Sequence, residues 1–157
     1  LYMDEKTNVM RMLEQKKIKY NHYCYTDTGA VSGVEVAACL GQNPDCVFKT
    51  LVTAGKSKQH YVFIIPVAKE LNLKKAAKAA GEKSVEMVKS KELLPLTGYI
   101  HGGCSPIGLK KYFPTFIDKS AEELDAFCVS AGKIGYQVEL SLESLRKVIR
   151  VDTADLT

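Results

Sequence analysis

The chain has 157 residues, 46% apolar and 25% charged, the profile of a soluble domain with its own core. It has no run of 18 or more apolar residues, so no membrane-spanning helix is expected, and its five cysteines (Cys24, Cys39, Cys46, Cys104, Cys128) are odd in number with no C-x-x-C pair, which argues against a disulfide framework or zinc cage. Net charge is +4, yet residues 69–111 alone hold nine lysines against four glutamates, so that segment is +5 and the rest −1; it is either the footprint of a phosphate-bearing partner or a solvated lysine-rich face.

One domain is expected over residues 3–157. Leu1 and Tyr2 ahead of Met3 read as a cloning scar, and without an apolar signal region the expected compartment is the cytoplasm. An opening helix is predicted over 4–16, with Val9, Met12 and Leu13 on one face, followed by a strand near 18–25. Ser32 and Glu35 have capping-box spacing and open a helix through Val36 and Leu40 that Gly41 can end. The β-rich runs 47–53 and 61–65, separated by a turn-like 54–59, read as a hairpin that Pro66 closes. Asn72 caps a helix whose apolar stripe is Leu73, Ala76, Ala77 and Ala80, with Gly81 at its end and Lys74, Lys75 and Lys78 on the other side. Ser90 starts a short helix ending near 95–98. Strands are predicted at 99–101, 115–118, 126–131 and 136–140, and a last helix over 142–148 capped by Ser141. Strands outnumber helices and tight turns join several of them, so the class expected is α+β.

The most unusual stretch is 98–108, with four glycines and Pro106. Such a loop can aim successive backbone N–H groups at a phosphate, a carbonyl oxygen or an oxyanion, or it can be a tight connection in which glycines only allow turning. Strand alternation puts Lys49 with Val47 and Leu51 on an apolar face; a lysine there either borders a cleft as a point charge or sits solvated at a sheet edge. Cys104 with His101 three residues away raises a thiol nucleophile, against the poor geometry of one loop supplying nucleophile, base and oxyanion hole together. Residues 130–135 form a second glycine-bearing turn, either a pocket rim or a plain hairpin connection. His22, His60 and His101 lack metal-ligand spacing.

Together these segments resemble the YbaK/EbsC family of aminoacyl-tRNA deacylases, relatives of the editing domain of bacterial prolyl-tRNA synthetase. The resemblance rests on residues 47–51, 71–78, 83–87, 97–99 leading into 102–108, 130–133 and 138–140, in the family's order and at similar spacing, and it covers nearly the whole chain. It implies a curved, mixed β-sheet of about seven strands flanked by helices, and a cleft for the 3′ end of a mischarged tRNA, whose aminoacyl ester is hydrolysed without a metal or other cofactor. It places catalysis on Lys49, Gly102, Gly103 and Ser105, and substrate binding on Tyr25, Thr50, Cys104, Pro106, Ile107, Gly108, Ser130 and Gly132. The tRNA most closely implied is Cys-tRNA(Pro), with prolyl-tRNA synthetase as a second partner and neither membrane nor DNA expected. Ala-tRNA(Pro) or another misacylated tRNA is the alternative within the family; a non-catalytic tRNA-binding or regulatory module is the alternative outside it. Three positions depart from the pattern: Gln137 where an acidic residue is common, Ala131 where a second glycine is usual, and Ile134 where a basic residue is frequent.

Overall fold

The computed structural model describes residues 6–157; the expected scar at Leu1 and Tyr2, the expected start at Met3 and the first two residues of the expected opening helix lie outside the described residues. Helix α1 spans Asn8–Gln15, where Thr7 Oγ1 accepts the Met10 N–H at 3.3 Å. Val9, Met10 and Leu13 are buried, while Met12 is only partly covered. Strand β1 (Asn21–Cys24) leads to α2 (Gly33–Cys39), whose N-terminus has the capping box expected from Ser32 and Glu35. The hairpin β2 (Phe48–Gly55) and β3 (His60–Pro66) pairs Lys49 with Ile65 and Leu51 with Phe63.

Helix α3 (Leu73–Ala80) begins on Asn72, whose Oδ1 accepts the N–H groups of Lys74 and Lys75, and ends at Gly81. Its buried stripe narrows to Ala76 and Ala77; Leu73, at the first helical position, is 44% exposed. Next come β4 (Val85–Met87), α4 (Ser90–Thr97), β5 (Thr115–Asp118), β6 (Phe127–Ser130), β7 (Tyr136–Leu140), α5 (Leu142–Val148) and β8 (Asp152–Ala154). The expected strand at 99–101 is a turn. It lies between Gly98 and Gly102, both at positive φ, and the Gly103 N–H closes it onto the Ile100 carbonyl at 3.0 Å. The short strands β4 and β8 were not anticipated; each has three residues, too few for an alternation to show.

The strands form an antiparallel sheet in the order β1-β7-β6 and a mixed sheet in the order β4-β2-β3-β5-β8, in which β3, β5 and β8 run parallel. A parallel bridge between Val47 and Cys128 stitches the sheets together, and the Phe48 and Phe127 rings meet across that seam at 5.0 Å. The architecture is the α+β class expected. Both faces of β3 are covered, so its sequence is a continuous apolar run. Val62 and Ile64 enter the larger core with Ile117, Val129 and Val138, while Tyr61, Phe63 and Ile65 pack under α3 with Leu156. Phe63 is fully buried, so Phe63→Ala costs about 3–5 kcal/mol. Among the described residues no helix is long and apolar enough to cross a membrane.

The short β4 has a consequence for function. It pairs only with Thr53, Ala54 and Gly55, so the first half of β2 has no β4 partner. A cleft opens beside that half of the strand.

Candidate active site

The cleft has a volume of about 540 Å³ and is walled by β2, the start of α2, the 87–90 segment, the 101–104 loop and the adjoining ends of β6 and β7. Lys49 and Thr50 come from β2, and Lys89 and Ser90 from the start of α4. Alternation puts Lys49 on the face of β2 shared with Leu51, opposite Ile65, as the sequence suggests. Lys49 is half-buried and makes no ion pair among the described residues. Among the described residues no carboxylate lines the cleft, and its walls are mostly apolar, with valine the commonest residue. An unpaired ammonium in such walls acts through a lower effective dielectric than water, so an anion or a polarised carbonyl entering the cleft meets a stronger field.

Thr50 adds a polar group to the cleft. Its Oγ1 is buried with no hydrogen-bond partner among the described residues, a state that costs about 1–3 kcal/mol unless a bound group satisfies it. Tyr25 also lines the cleft and is 7% exposed; its N–H donates to the Gly135 carbonyl at 2.7 Å and its carbonyl accepts the Thr28 hydroxyl at 2.7 Å. Gly33 lets α2 close the wall, because a Cβ there would lie 2.4 Å from Val67 Cγ1.

The glycine loop divides. Gly102 and Cys104 line the cleft, and their N–H groups donate to no protein acceptor among the described residues. The other half faces inward. Gly103 is buried with its N–H on Ile100, Ser105 is fully buried with Oγ accepting the Ile107 N–H at 3.2 Å, and Ile107 sits in the core. Pro106 and Gly108 line a separate hollow. Gly108, at φ +78°, packs against the Tyr99 hydroxyl, which donates to the Ile107 carbonyl. Gly132, at φ +89°, packs against the Tyr99 ring. One tyrosine thus holds both glycine turns. The 130–135 segment is a hairpin turn between β6 and β7; Ser130 lines the cleft while its Oγ accepts the Gly132 N–H at 3.1 Å.

Cys104 is 7% exposed, and burial pushes its thiol up to about 12, only partly offset by a hydrogen bond with Thr97. His101 is exposed at the cleft mouth and makes no hydrogen bond to Cys104 among the described residues. A thiol held protonated with no base beside it is a poor nucleophile. Tyr99 is likewise pushed up to about 12, first by burial and then by Cys104.

Of the expected site residues, Lys49, Thr50, Tyr25, Gly102, Cys104 and Ser130 come together on the cleft. Gly103, Ser105, Pro106, Ile107, Gly108 and Gly132 frame it from behind. Residues that sequence reasoning did not place there include Val31, Val34, Met87, Lys89, Ser90 and Gln137. Val31 is 79% exposed and Val34 and Met87 nearly half so; such an apolar rim carries no local sequence signal. Gln137 is 4% exposed and its Oε1 accepts from Gln42 Nε2 at 2.8 Å, so this position carries a buried, paired amide. Ala131 is in the core, and Ile134 packs against Gly102 and Gly103. No group of three His, Cys, Asp or Glu residues among the described residues could hold a metal ion.

A sequence model of the aminoacyl-tRNA editing domain matches residues 28–148. The chain is 46% identical over 154 residues to EbsC of Enterococcus faecalis, covering 98% of this chain and 94% of that one; the name of that protein proposes it as a Cys-tRNA(Pro)/Cys-tRNA(Cys) deacylase. The fold matches the crystal structure of a hypothetical protein with TM-score 0.86 and 24% identity, over 97% of this chain and 99% of the other. It also matches a proposed trans-editing enzyme for prolyl-tRNA synthetase with TM-score 0.83 and 21% identity, over 99% of both chains.

Proposed function

This chain belongs to the aminoacyl-tRNA editing domain family, and from that premise we propose that it clears mischarged tRNA in trans, with Cys-tRNA(Pro) as its substrate. The observation that carries the reading is Lys49, without an ion pair among the described residues, on a cleft also lined by Gly102 and Cys104, whose N–H groups donate to no protein acceptor among the described residues. The 46% identity to EbsC supports the choice of cysteine.

An aminoacyl ester is already activated, so the site has to position it and stabilise the oxyanion rather than supply a strong nucleophile. In the proposed step the substrate's own thiolate attacks its ester carbonyl. A C–S bond forms, the C–O bond to the ribose breaks, and the departing ribose oxygen takes up a proton. Water then opens the resulting four-membered thiolactone to free cysteine. The Gly102 and Cys104 N–H groups meet the carbonyl oxygen as charge develops on it, Lys49 holds the terminal phosphate or that oxygen, and Thr50 Oγ1 gains its missing partner from the bound nucleotide. Gly103, Ser105, Ile107, Gly108 and Gly132 act by holding the loop in place. Lys89 and the exposed lysines of α3 give the acceptor stem a salt-dependent, mostly sequence-independent attraction. Lys75 is less available, being paired with Asp155 at 3.0 Å. Prolyl-tRNA synthetase would then supply part of the tRNA choice.

The test is deacylation of a panel of tRNA(Pro) carrying cysteine, alanine or serine. Cys-tRNA(Pro) is expected to be cleared fastest. Faster clearance of Ala-tRNA(Pro) assigns the alanine branch, and tRNA binding without turnover of any ester assigns a non-catalytic module.

A further inference from the structure

A second hollow, of about 470 Å³, is bordered by the second half of the glycine loop and belongs to no part of the proposed chemistry. Pro106 and Gly108 line it together with Lys111, Tyr112 and Arg150. Tyr112 is 64% exposed and offers a large aromatic surface. Lys111 and Arg150 are exposed, make no ion pair or hydrogen bond through their side chains among the described residues, and no carboxylate lines the hollow. The floor is apolar, with Met12 and Phe113. An open aromatic ring beside two unpaired cations over an apolar floor has the composition that holds an unstacked base and its phosphate.

The position of the hollow ties it to the cleft. Cys104 lines the cleft and Pro106 the hollow. Only Ser105 separates them, so their Cα atoms are at most about 7 Å apart. A single strand that ends in the cleft and rounds the loop reaches the hollow within a few nucleotides.

We infer that the Lys111–Tyr112–Arg150 hollow is a second RNA subsite, which holds a nucleotide of the substrate's single-stranded 3′ end a short way behind the terminal adenosine. The inference rests on the proposed deacylase reading for the identity of its RNA. Tyr112 stacks on the base and the two cations meet its flanking phosphates. The subsite contributes affinity and does not touch the ester.

The experiment compares wild type with Tyr112→Phe, Tyr112→Ala and the triple variant Lys111→Gln/Tyr112→Ala/Arg150→Gln. All three side chains are exposed, and melting curves confirm that each variant is folded. Binding is read with uncharged tRNA(Pro) over a salt series, and catalysis with Cys-tRNA(Pro) and with cysteine esterified to adenosine alone. Tyr112→Ala is expected to weaken tRNA binding about tenfold and Tyr112→Phe to bind as wild type. In the triple variant the salt slope is expected to fall by about 0.7 for each cation removed. KM for Cys-tRNA(Pro) should rise with kcat held, and the adenosine ester should be hydrolysed at the wild-type rate. Unchanged tRNA affinity in the triple variant overturns the subsite, as does a Tyr112→Phe variant as weak as Tyr112→Ala. Lost binding to prolyl-tRNA synthetase with unchanged tRNA affinity also overturns it, and gives the face to a protein. Wild type that binds tRNA through these residues yet hydrolyses no ester keeps the subsite and defeats the deacylase reading; hydrolysis of the adenosine ester with unaltered tRNA binding in the triple variant does the reverse.

Discussion

The two halves of the glycine loop contain similar residues and do opposite work. Gly102 and Cys104 line the cleft with N–H groups that donate to no protein acceptor among the described residues, and a Cβ on Gly102 would meet nothing nearer than Ile134 at 3.7 Å. Five residues after Gly102, Ile107 is fully buried, and at the next position a Cβ on Gly108 would lie 2.7 Å from the Tyr99 hydroxyl. The first half borders the cleft, and the second is held by Tyr99 and the core. Glycine content alone therefore marks a loop with special backbone needs, and packing decides which glycine serves chemistry and which serves the frame.

The largest expected effect lies across the cleft from the loop. Lys49→Ala should lower deacylation on the order of a thousandfold, about 4 kcal/mol in barrier, and melt near wild type because Lys49 is half-buried and unpaired. Turnover and melting are read on the same preparation. Near-normal turnover removes Lys49 from the site, and loss of folding makes it a structural residue.

The substrate-assisted step is sharpened by single-turnover rates at saturating enzyme, which isolate chemistry from binding. Cys-tRNA(Pro) should react roughly a hundredfold faster than Ser-tRNA(Pro), since a hydroxyl is a far weaker nucleophile near neutral pH. The rate should rise with pH and level off above the thiol's ionisation, near about 8.5 for an unperturbed group. The sign follows from the thiolate being the attacking form. Cys104 and Tyr99, both pushed up to about 12, stay protonated through that range, so the inflection is not theirs. Equal rates for the two esters defeat the mechanism.

The comparison between the loop halves is broken or kept by two alanines. Gly108→Ala combines a positive φ with a collision against a hydrogen-bonded tyrosine, and should cost on the order of 3 kcal/mol of stability. Gly102→Ala meets only the backbone term, about 1–2 kcal/mol, but should lose activity beyond its loss of stability because it reshapes the amides facing the cleft. Denaturant unfolding and turnover together decide it. Equal stability losses would show that the halves are not distinct.

The smallest effect is expected at Cys104. Cys104→Ala should change turnover by at most about tenfold, roughly 1.4 kcal/mol, because its buried thiol is protonated and carries no base. A loss of several orders of magnitude with a trapped acyl-enzyme would restore the Cys104–His101 nucleophile.

The sequence by itself determined the local elements and the inventory of the site. Ser32 with Glu35, Asn72 with Gly81, and Ser141 mark helix ends because capping needs particular side chains at fixed offsets, and the structure places α2, α3 and α5 on those marks. Period-two alternation put Lys49 on one face with Leu51, and the 98–108 stretch announced a loop through its glycines. Tertiary structure decided what those residues face. That β4 is too short to cover the first half of β2, that Val47 bridges Cys128, and that Tyr99 locks Gly108 and Gly132 into one support are contacts between segments far apart in the chain. The apolar rim of Val31, Val34 and Met87 and the buried Gln42–Gln137 pair arise in the same way. Spacing along a chain encodes which residues share a helix face or a strand face. Which faces meet depends on sheet register and packing, and that is where the cleft and the second hollow are made.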